Sequence, residues 1–349
     1  MIGGNGGRAF IGSFTSAGGR GVIAADVDPG TGALTERAAT DAVADPSYLA
    51  LSPDGSVLYA VSEREDGAAA ALDVRPQGPA APRLMGAPVP VSGAGPTHLA
   101  LVGGRLLTAN YGSGSVSVLP VAADGALREP VAVFRHEGGG PPGDRPLTPR
   151  AHQVVAAPGG RWALCTDLGT DSVRILALSA DGEPTPHGET SLRPGTGPRH
   201  LAFHPGGGHV YVLGELEPIL TVCRWDATTG VLEPVGETPV LPDGVTGESF
   251  PSAVVVSRDG RFVWAAVRGH DSIAVIALDA TYEKPEPVTA VDCGGRWPRD
   301  LALDPTGRRL YAANERSGDV TWFDVDRETG VPARAGSLEA PAVSCVIFD

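Results

Sequence analysis

The chain has 349 residues, 42% of them hydrophobic and 19% charged, with 48 glycines and 32 prolines. That density of turn formers excludes long helices, and the glycines follow no three-residue period, so neither collagen nor a charge-driven disordered chain fits. A formal charge of −14 repels nucleic acid and anionic membrane over most of the surface and leaves only a local basic pocket open to an anion.

At the amino end, MIGGNGGRAFIG lacks a basic region followed by an apolar segment, and no later stretch approaches the roughly 20 apolar residues of a membrane helix. A soluble cytoplasmic protein is expected. The GGNGG and SAGGRG segments are not followed by a helical pattern, so neither reads as a phosphate loop. Residues 8–12 and 21–26 read as the second and third strands of a unit whose first strand is missing.

From Pro46 onward a phrase recurs: PSYLALSPDGSVLYAV, then PTHLALVGGRLLTAN from Pro96, PRAHQVVAAPGGRWALCTD from Pro149, PRHLAFHPGGGHVYVLGE from Pro198, PSAVVVSRDGRFVWAAVR from Pro251 and PRDLALDPTGRRLYAANE from Pro298. Each copy is an apolar strand, a Gly-containing turn and a second apolar strand, followed by an alternating third strand such as SVSVLPV or SIAVIAL and a more variable fourth. Third strands end in turns such as DPGTG from Asp28, where glycine tolerates a left-handed reversal. Longer insertions at 137–148 and 236–248 precede inner strands and are expected as rim loops of one face. Residues 341–348 supply the first strand missing at the amino end. The expectation is an all-β fold, a seven-bladed β-propeller of four-stranded antiparallel blades in one domain over residues 1–349, with one blade closed by the N- and C-terminal strands.

Alternating chain direction puts the connections before strand one and after strand two on the same face. The opposite face holds the SPDG, APGG, HPGG and DPTG turns and looks structural. His204 belongs there. The first face gathers His98, Arg150, His152, Arg199, His200, Arg299 and Asp300 near inner-strand starts, with Glu63, Asn110, Tyr111, Asp167, Glu215, Arg268, Asn314 and Glu315 at second-strand ends. Seven blades converge these groups on one mouth, as a small-molecule site requires.

His152 suits general acid–base work near neutral pH, or else a packing contact to a neighbouring blade. Glu215 could be a base or orient an imidazole, and Asp167 could orient one too; both also read as stitching through loop amides. Arg199 and Arg268 suit two-pronged binding of carboxylate or phosphate and stabilisation of negative charge, against the alternative of inter-blade salt bridges. His200 sits among apolar neighbours that suit packing as well as substrate contact. Tyr111, following Asn110 at a strand end, divides between site contact and loop packing. Together with Arg296, the arginines of this face are expected to make the mouth locally positive.

Trp162, Trp264, Tyr59, Tyr211 and Tyr311 occupy second strands and are expected to pack between blades. Cys165, Cys223, Cys293 and Cys345 lie far apart in apolar strands without CxxC spacing and read as free buried thiols. No GxSxG elbow, Walker loop, HExxH pair or dinucleotide fingerprint occurs, which points to metal-independent hydrolysis or another non-redox reaction.

The phrases TANYGSGSV, AHQVVAAPGG, TDLGTDSVRIL, GPRHLAFHPGG, VYVLGELEP, RGHDSIAVI and WPRDLALDPTGRRLYAANE resemble the seven-bladed propeller lactonase family, which includes 6-phosphogluconolactonases and fungal carboxy-muconate cyclising enzymes. The resemblance covers nearly the whole chain. It implies a cofactor-free active site at one end of the central channel, in which His152, Arg199, Glu215 and Arg268 match the family's site. Asn110 and Tyr111 stand in the surrounding ring, and Asp167, His200 and Arg299 are further substrate-binding candidates. The expected reaction is hydrolysis of 6-phosphogluconolactone to 6-phosphogluconate; the rival expectations are carboxymuconate lactone chemistry and a nonenzymatic propeller binding a partner on its rim. The expected partner is a small anionic lactone or carboxylate, bound by a monomer.

Overall fold

The computed structural model describes residues 7–75, 81–139, 148–179, 182–245 and 247–349. The GGNGG start and most of the GGGPPGDRP insertion therefore lie outside the described residues. Seven antiparallel sheets stand around a central axis, six of four strands and one of five. Counting from the blade that both termini build, the inner strands are Val343–Phe348, Leu49–Leu51, Pro96–Val102, Ala151–Ala156, Pro198–Phe203, Phe250–Val256 and Pro298–Leu303. In blade two the outer edge is split into Arg83–Leu84 and Val89–Pro90, both paired with Ala68–Asp73. The 236–248 insertion starts later than its sequence suggests, because Val231–Pro239 continues as the outer strand of blade five.

Burial explains the sequence pattern of each strand. Second strands such as Val57–Ser62, Trp162–Asp167 and Arg309–Asn314 are buried at every residue, because each is covered on both faces by the adjacent blades. Outer strands such as Pro332–Glu339 are largely exposed and tolerate charge. Among the described residues there is no single central core. Seven apolar clusters lie one at each junction between neighbouring blades, for example Ile11, Ile23, Tyr311 and Trp322 between blades one and seven.

The second-strand aromatics do pack between blades, and each also crosses its junction with a hydrogen bond. Tyr59 Oη donates to Gly125 O at 2.9 Å, Trp162 Nε1 to Ala227 O at 2.8 Å, Tyr211 Oη to Tyr282 O at 3.0 Å, Trp264 Nε1 to Gly330 O at 2.7 Å and Tyr311 Oη to Gly32 O at 2.8 Å. Each contributes about 1 kcal/mol net, besides the apolar area of the ring. His204 joins this lower face with Nε2 3.2 Å from Gly260 O. All four cysteines are free and buried.

The ring closes where Val343–Phe348 pairs with Gly7–Ser13, in the register Ala9↔Phe348, Phe10↔Ile347, Ile11↔Val346 and Gly12↔Cys345. Arg8 Nε donates to Asp349 Oδ2 at 2.9 Å and clamps the end of the pair. Deleting residues 343–349 leaves Gly7–Ser13 as a bare edge and opens the cluster shared with blade seven. The truncated chain is expected to lose its cooperative thermal transition and to aggregate on size-exclusion chromatography; a monomer melting like the full chain would refute this closure.

Candidate active site

Six of the seven inner strands shift register near the mouth, and the shift leaves one or two residues without a cross-strand partner: Ser344, Thr97, His152, Arg199, Arg299 and, in blade six, Ser252 with Ala253. A β-bulge of this kind re-aims a side chain and frees a carbonyl. Hydroxyls of the preceding blade take up the freed carbonyls: Thr97 Oγ1 donates to His152 O at 2.9 Å, Thr166 Oγ1 to Arg199 O at 2.7 Å and Ser252 Oγ to Pro298 O at 2.6 Å. Three of the bulged residues, His152, Arg199 and Arg299, are residues that the sequence singled out.

A second circle forms where the second strands end. There the backbone N–H of Glu63, Tyr111, Glu215 and Glu315 donates to a carbonyl ahead of the neighbouring inner strand, respectively that of Asp45, Gly95, Gly197 and Trp297, at 2.9–3.1 Å; the last three immediately precede their strands, and Asp45 stands four residues before Leu49. Arg268 holds the corresponding place in blade six, paired with Phe250.

The two circles meet in a charge cluster. Glu215 Oε2 lies 3.0 Å from Arg199 Nε and 3.1 Å from Arg268 Nη2. The Arg199 Nε–H is not aimed at that oxygen, so this contact is a charge pairing rather than a hydrogen bond. Arg199 also donates through Nη1 to Ser252 O, and Arg268 Nε donates to Phe250 O at 3.1 Å. Burial lowers the Arg199 guanidinium to about 9, with like charge from Arg268 next in effect, and it remains a cation at neutral pH. Burial also lowers Arg268. Across the mouth, Arg299 sits 3.4 Å from Glu315 and 3.5 Å from Glu63, whose Oε2 is otherwise unpartnered. Arg199, Arg268 and Arg299 are thus matched by Glu215, Glu315 and Glu63, so the mouth is closer to charge balance than the expected positive patch, with Arg150 added beside Tyr111.

Next to these charges the imidazoles meet edge to face. His200 lies between His152 and His98, with ring centroids 5.4 and 5.6 Å away, and His98 stacks on Tyr48 at 3.8 Å. Tyr111 stands edge-on to His152 at 5.6 Å, under the Arg150 guanidinium at 5.3 Å. Among the described residues, His152 Nδ1 is buried without a hydrogen-bond partner. Burial drives all three imidazoles down, helped by the Arg199 charge; His98 is pushed to about 3 and His152 and His200 well below the usual histidine value. They are neutral at pH 7. Among the described residues, no group of three or more His, Cys, Asp or Glu side chains is arranged to hold a metal ion.

Two expected substrate contacts are placed elsewhere. Asn110 is fully buried, its Nδ2 donating to Ser115 and Ser117 Oγ at 3.1 and 2.8 Å and its Oδ1 accepting from Thr108, so it stitches its own blade. Asp167 is also fully buried and orients His136 rather than His152: its Oδ2 lies 2.6 Å from His136 Nδ1, and its Oδ1 accepts from the N–H of Arg150, Gly169 and Thr170. Burial would raise this carboxyl, but His136 and those amides hold it below the usual range. His200 contacts the other imidazoles within the channel, whereas Arg299 and Tyr111 do border the mouth. Asp300, beneath, is raised by burial and accepts the Val346 N–H at 3.1 Å.

Sequence reasoning missed Tyr48 and Trp297. Tyr48 holds in blade two the register position that His98 holds in blade three, a correspondence the repeats display. Trp297 has φ 65°, in a position where Gly95 and Gly197 have φ 55° and 58° in their own blades. A bulky residue there costs about 1–3 kcal/mol.

A family model described as "Lactonase, 7-bladed beta-propeller" matches residues 8–348. The chain belongs to this seven-bladed β-propeller lactonase family. A 6-phosphogluconolactonase of Bacillus subtilis is 34% identical over 97% of both chains. Among solved structures, a putative 6-phosphogluconolactonase of Bacteroides fragilis superposes with a TM-score of 0.91 at 26% identity, covering 100% of this chain and 99% of the other. The periplasmic gluconolactonase of Pseudomonas aeruginosa gives 0.90 at 27% identity, covering 98% of both. This lactonase shows no broad apolar rim among its described residues: the exposed large hydrophobics are Val131, Val231 and Val288, on three different blades. No helix among those residues is long and apolar enough to cross a membrane.

The buried imidazoles set an acid limit on the fold. Their folded-state pKa values lie below the unfolded value of about 6.5, so below that pH the unfolded chain binds protons that the folded chain refuses. Stability is full above about pH 6.5 and declines as pH falls, by up to about 1.4 kcal/mol per pH unit for each imidazole. Denaturant titrations between about pH 7 and 5 are expected to show that slope, reduced by one imidazole's share in His98→Gln; an unchanged slope in the variant would contradict a buried, neutral His98.

Proposed function

We propose that this lactonase hydrolyses 6-phosphogluconolactone to 6-phosphogluconate without a metal ion, with a small anionic lactone as its partner and His152 as the general base. The observation that carries the reading is the unpartnered His152 Nδ1, buried within the field of Arg199, Arg299 and Arg268. The Bacillus subtilis relative named for this reaction supports the substrate. The Pseudomonas aeruginosa neighbour, named as a gluconolactonase, makes the phosphate the point to be tested.

In this reading water attacks the lactone carbonyl carbon while a neutral His152 accepts the water proton. The carbonyl π bond opens to an oxyanion, stabilised by the guanidinium groups of Arg199 and Arg268. Collapse of that intermediate breaks the bond to the ring oxygen, which takes the proton back from His152 and leaves as a hydroxyl. The product is an open-chain hydroxy acid, and the imidazole returns to its starting state. Glu215 contacts both arginines; its role is to fix their positions and keep two buried cations adjacent.

Burial, and after it the surrounding cations, hold the imidazole pKa down in the free protein, so its basicity is weak. A bound phosphate and the developing oxyanion offset those cations and raise the imidazole toward the range where proton transfer is effective. Charged substrates are favoured by this coupling.

Freshly made 6-phosphogluconolactone, unphosphorylated gluconolactone and carboxymuconolactone, each corrected for spontaneous ring opening, form the decisive panel. The expected order places the phosphorylated sugar lactone first. His152→Asn is expected to lower kcat by about 10²–10⁴ and Arg268→Gln by about 10²–10³. A folded His152→Asn, Glu215→Gln double variant with unchanged lactonase activity would falsify the assignment.

A further inference from the structure

Before the inner strand in five of the blades the chain adopts a left-handed conformation, at Ala342, Asp45, Gly95, Gly197 and Trp297. Two of the five are glycine, for which this geometry is free of a Cβ clash. Trp297 is the only one with a large side chain. Its backbone is held on both sides: its N–H donates to Asp271 Oδ1 at 2.8 Å, and its carbonyl accepts the Glu315 N–H at 3.0 Å. The fold therefore sustains a strained, bulky residue where two of its own repeats use glycine and two others a small or short side chain, and strain of this sort gathers where a side chain is needed in one place.

The place is beside Arg268. The Trp297 indole lies 5.5 Å from the Arg268 guanidinium carbon, 6.1 Å from the Phe250 ring and 3.3 Å from the exposed Arg316 guanidinium carbon. Arg268 has polar partners in the Phe250 and Pro251 carbonyls and in Glu215. Trp297 adds an aromatic contact through which the ring quadrupole attracts the cation.

We propose that Trp297 is a positioning residue for the lactonase reaction: strained into the left-handed region, it holds the Arg268 guanidinium in register with Arg199 and Glu215. This rests on the reading of Arg268 as a group that stabilises the oxyanion. Because that stabilisation belongs to the transition state, loss of the indole lowers kcat and leaves KM nearly unchanged.

The repeats supply the control. Trp297→Gly recreates the Gly–Pro step found at Gly95–Pro96 and Gly197–Pro198, so it relieves strain, and a melting temperature equal to or above that of the parent is expected. With it, kcat is expected to fall by about tenfold or more, whereas Trp297→Phe, which keeps an aromatic face, retains most of it. Of the five tryptophans, the other four are buried, so a change in indole emission on adding 6-phosphogluconate is expected in the parent and is absent in both variants. Full kcat in Trp297→Gly overturns the proposal, as does a rise in KM alone, or a joint loss of kcat and melting temperature in both variants. If the parent turns over no lactone, the functional reading fails separately, and 6-phosphogluconate binding by calorimetry tests the hold on Arg268, because the carboxylate of this acid, unlike the neutral ester of the lactone, carries the charge that Arg268 would meet: weakening by about tenfold in Trp297→Gly and not in Trp297→Phe sustains that hold, equal affinities overturn it, and no binding to the parent overturns both.

Discussion

The antiparallel pairing of Val343–Phe348 with Gly7–Ser13 joins the two ends of the chain, and the geometry of the mouth follows from that join. An open stack of six and a half blades would expose a strand edge and an apolar blade face, with nothing to fix the distance across the channel. Once closed, each inner strand has a neighbour on either side and the seven strand starts face one axis. The bulges then act on a fixed frame. One additional residue in an inner strand turns a side chain that would have paired across the ladder toward the channel, and the hydroxyl of a neighbouring blade satisfies the carbonyl that the bulge frees.

The frame also sets the electrostatics. Arg199 and Arg268 come from adjacent blades and would repel each other in a region where water is scarce; Glu215, at the end of a second strand, touches both. A surface pair of this kind would contribute little, but here the arginines are almost wholly buried, and removal of the shared carboxylate would leave two uncompensated cations. The arrangement is inverted across the mouth, where one cation, Arg299, lies between two carboxylates, Glu63 and Glu315. A protein of charge −14 thus keeps its reactive cations inside, each next to a carboxylate that limits its field. What this leaves for an incoming anion is local, felt by His152 more than by bulk solvent, and it adds to the burial that chiefly depresses the imidazole in the free protein.

Much of this was legible in the sequence because repetition makes position visible. The six complete phrases and the two partial ones gave the blade count, the terminal closure and the face that holds the mouth, and the second-strand aromatics were legible as junction residues. His152, Arg199, Glu215 and Arg268 were legible as residue types at strand ends that meet around the mouth. Asn110 and Asp167 misled because second-strand ends carry two kinds of residue one position apart: the last paired residue turns into the blade, and the next one faces the mouth. Asn110 and Asp167 hold the first position, Tyr111 and Glu215 the second, and only the register separates them. Bulges are likewise invisible to a period-two reading, since one additional residue reverses the face on which every later side chain stands. Backbone conformation was hidden too. Nothing in the string WPRD marks its tryptophan as left-handed until it is set beside the glycines that precede Pro96 and Pro198.

Seven copies of one unit could form a symmetric pore, and the departures from symmetry are where the chemistry lies. The bulge position holds Ser344, Thr97 and Ser252 in three blades, small hydroxyl residues of which Thr97 and Ser252 hydrogen-bond to the next blade, but His152, Arg199 and Arg299 in three others. The hydroxyl version serves the scaffold, because it satisfies a neighbouring carbonyl with little side-chain entropy lost. The charged and imidazole versions forgo that and must be held by other means: Arg199 by a Ser252 carbonyl and a shared carboxylate, Arg299 by two carboxylates, His152 by packing against Tyr111 and His200. Each replacement makes its junction more dependent on a partner from another blade, so the reactive residues are stable only as a set and only in a closed ring. A repeat architecture of this kind supplies its own reference state, in that the residue held at the same register position elsewhere in the chain is the one the scaffold alone would accept.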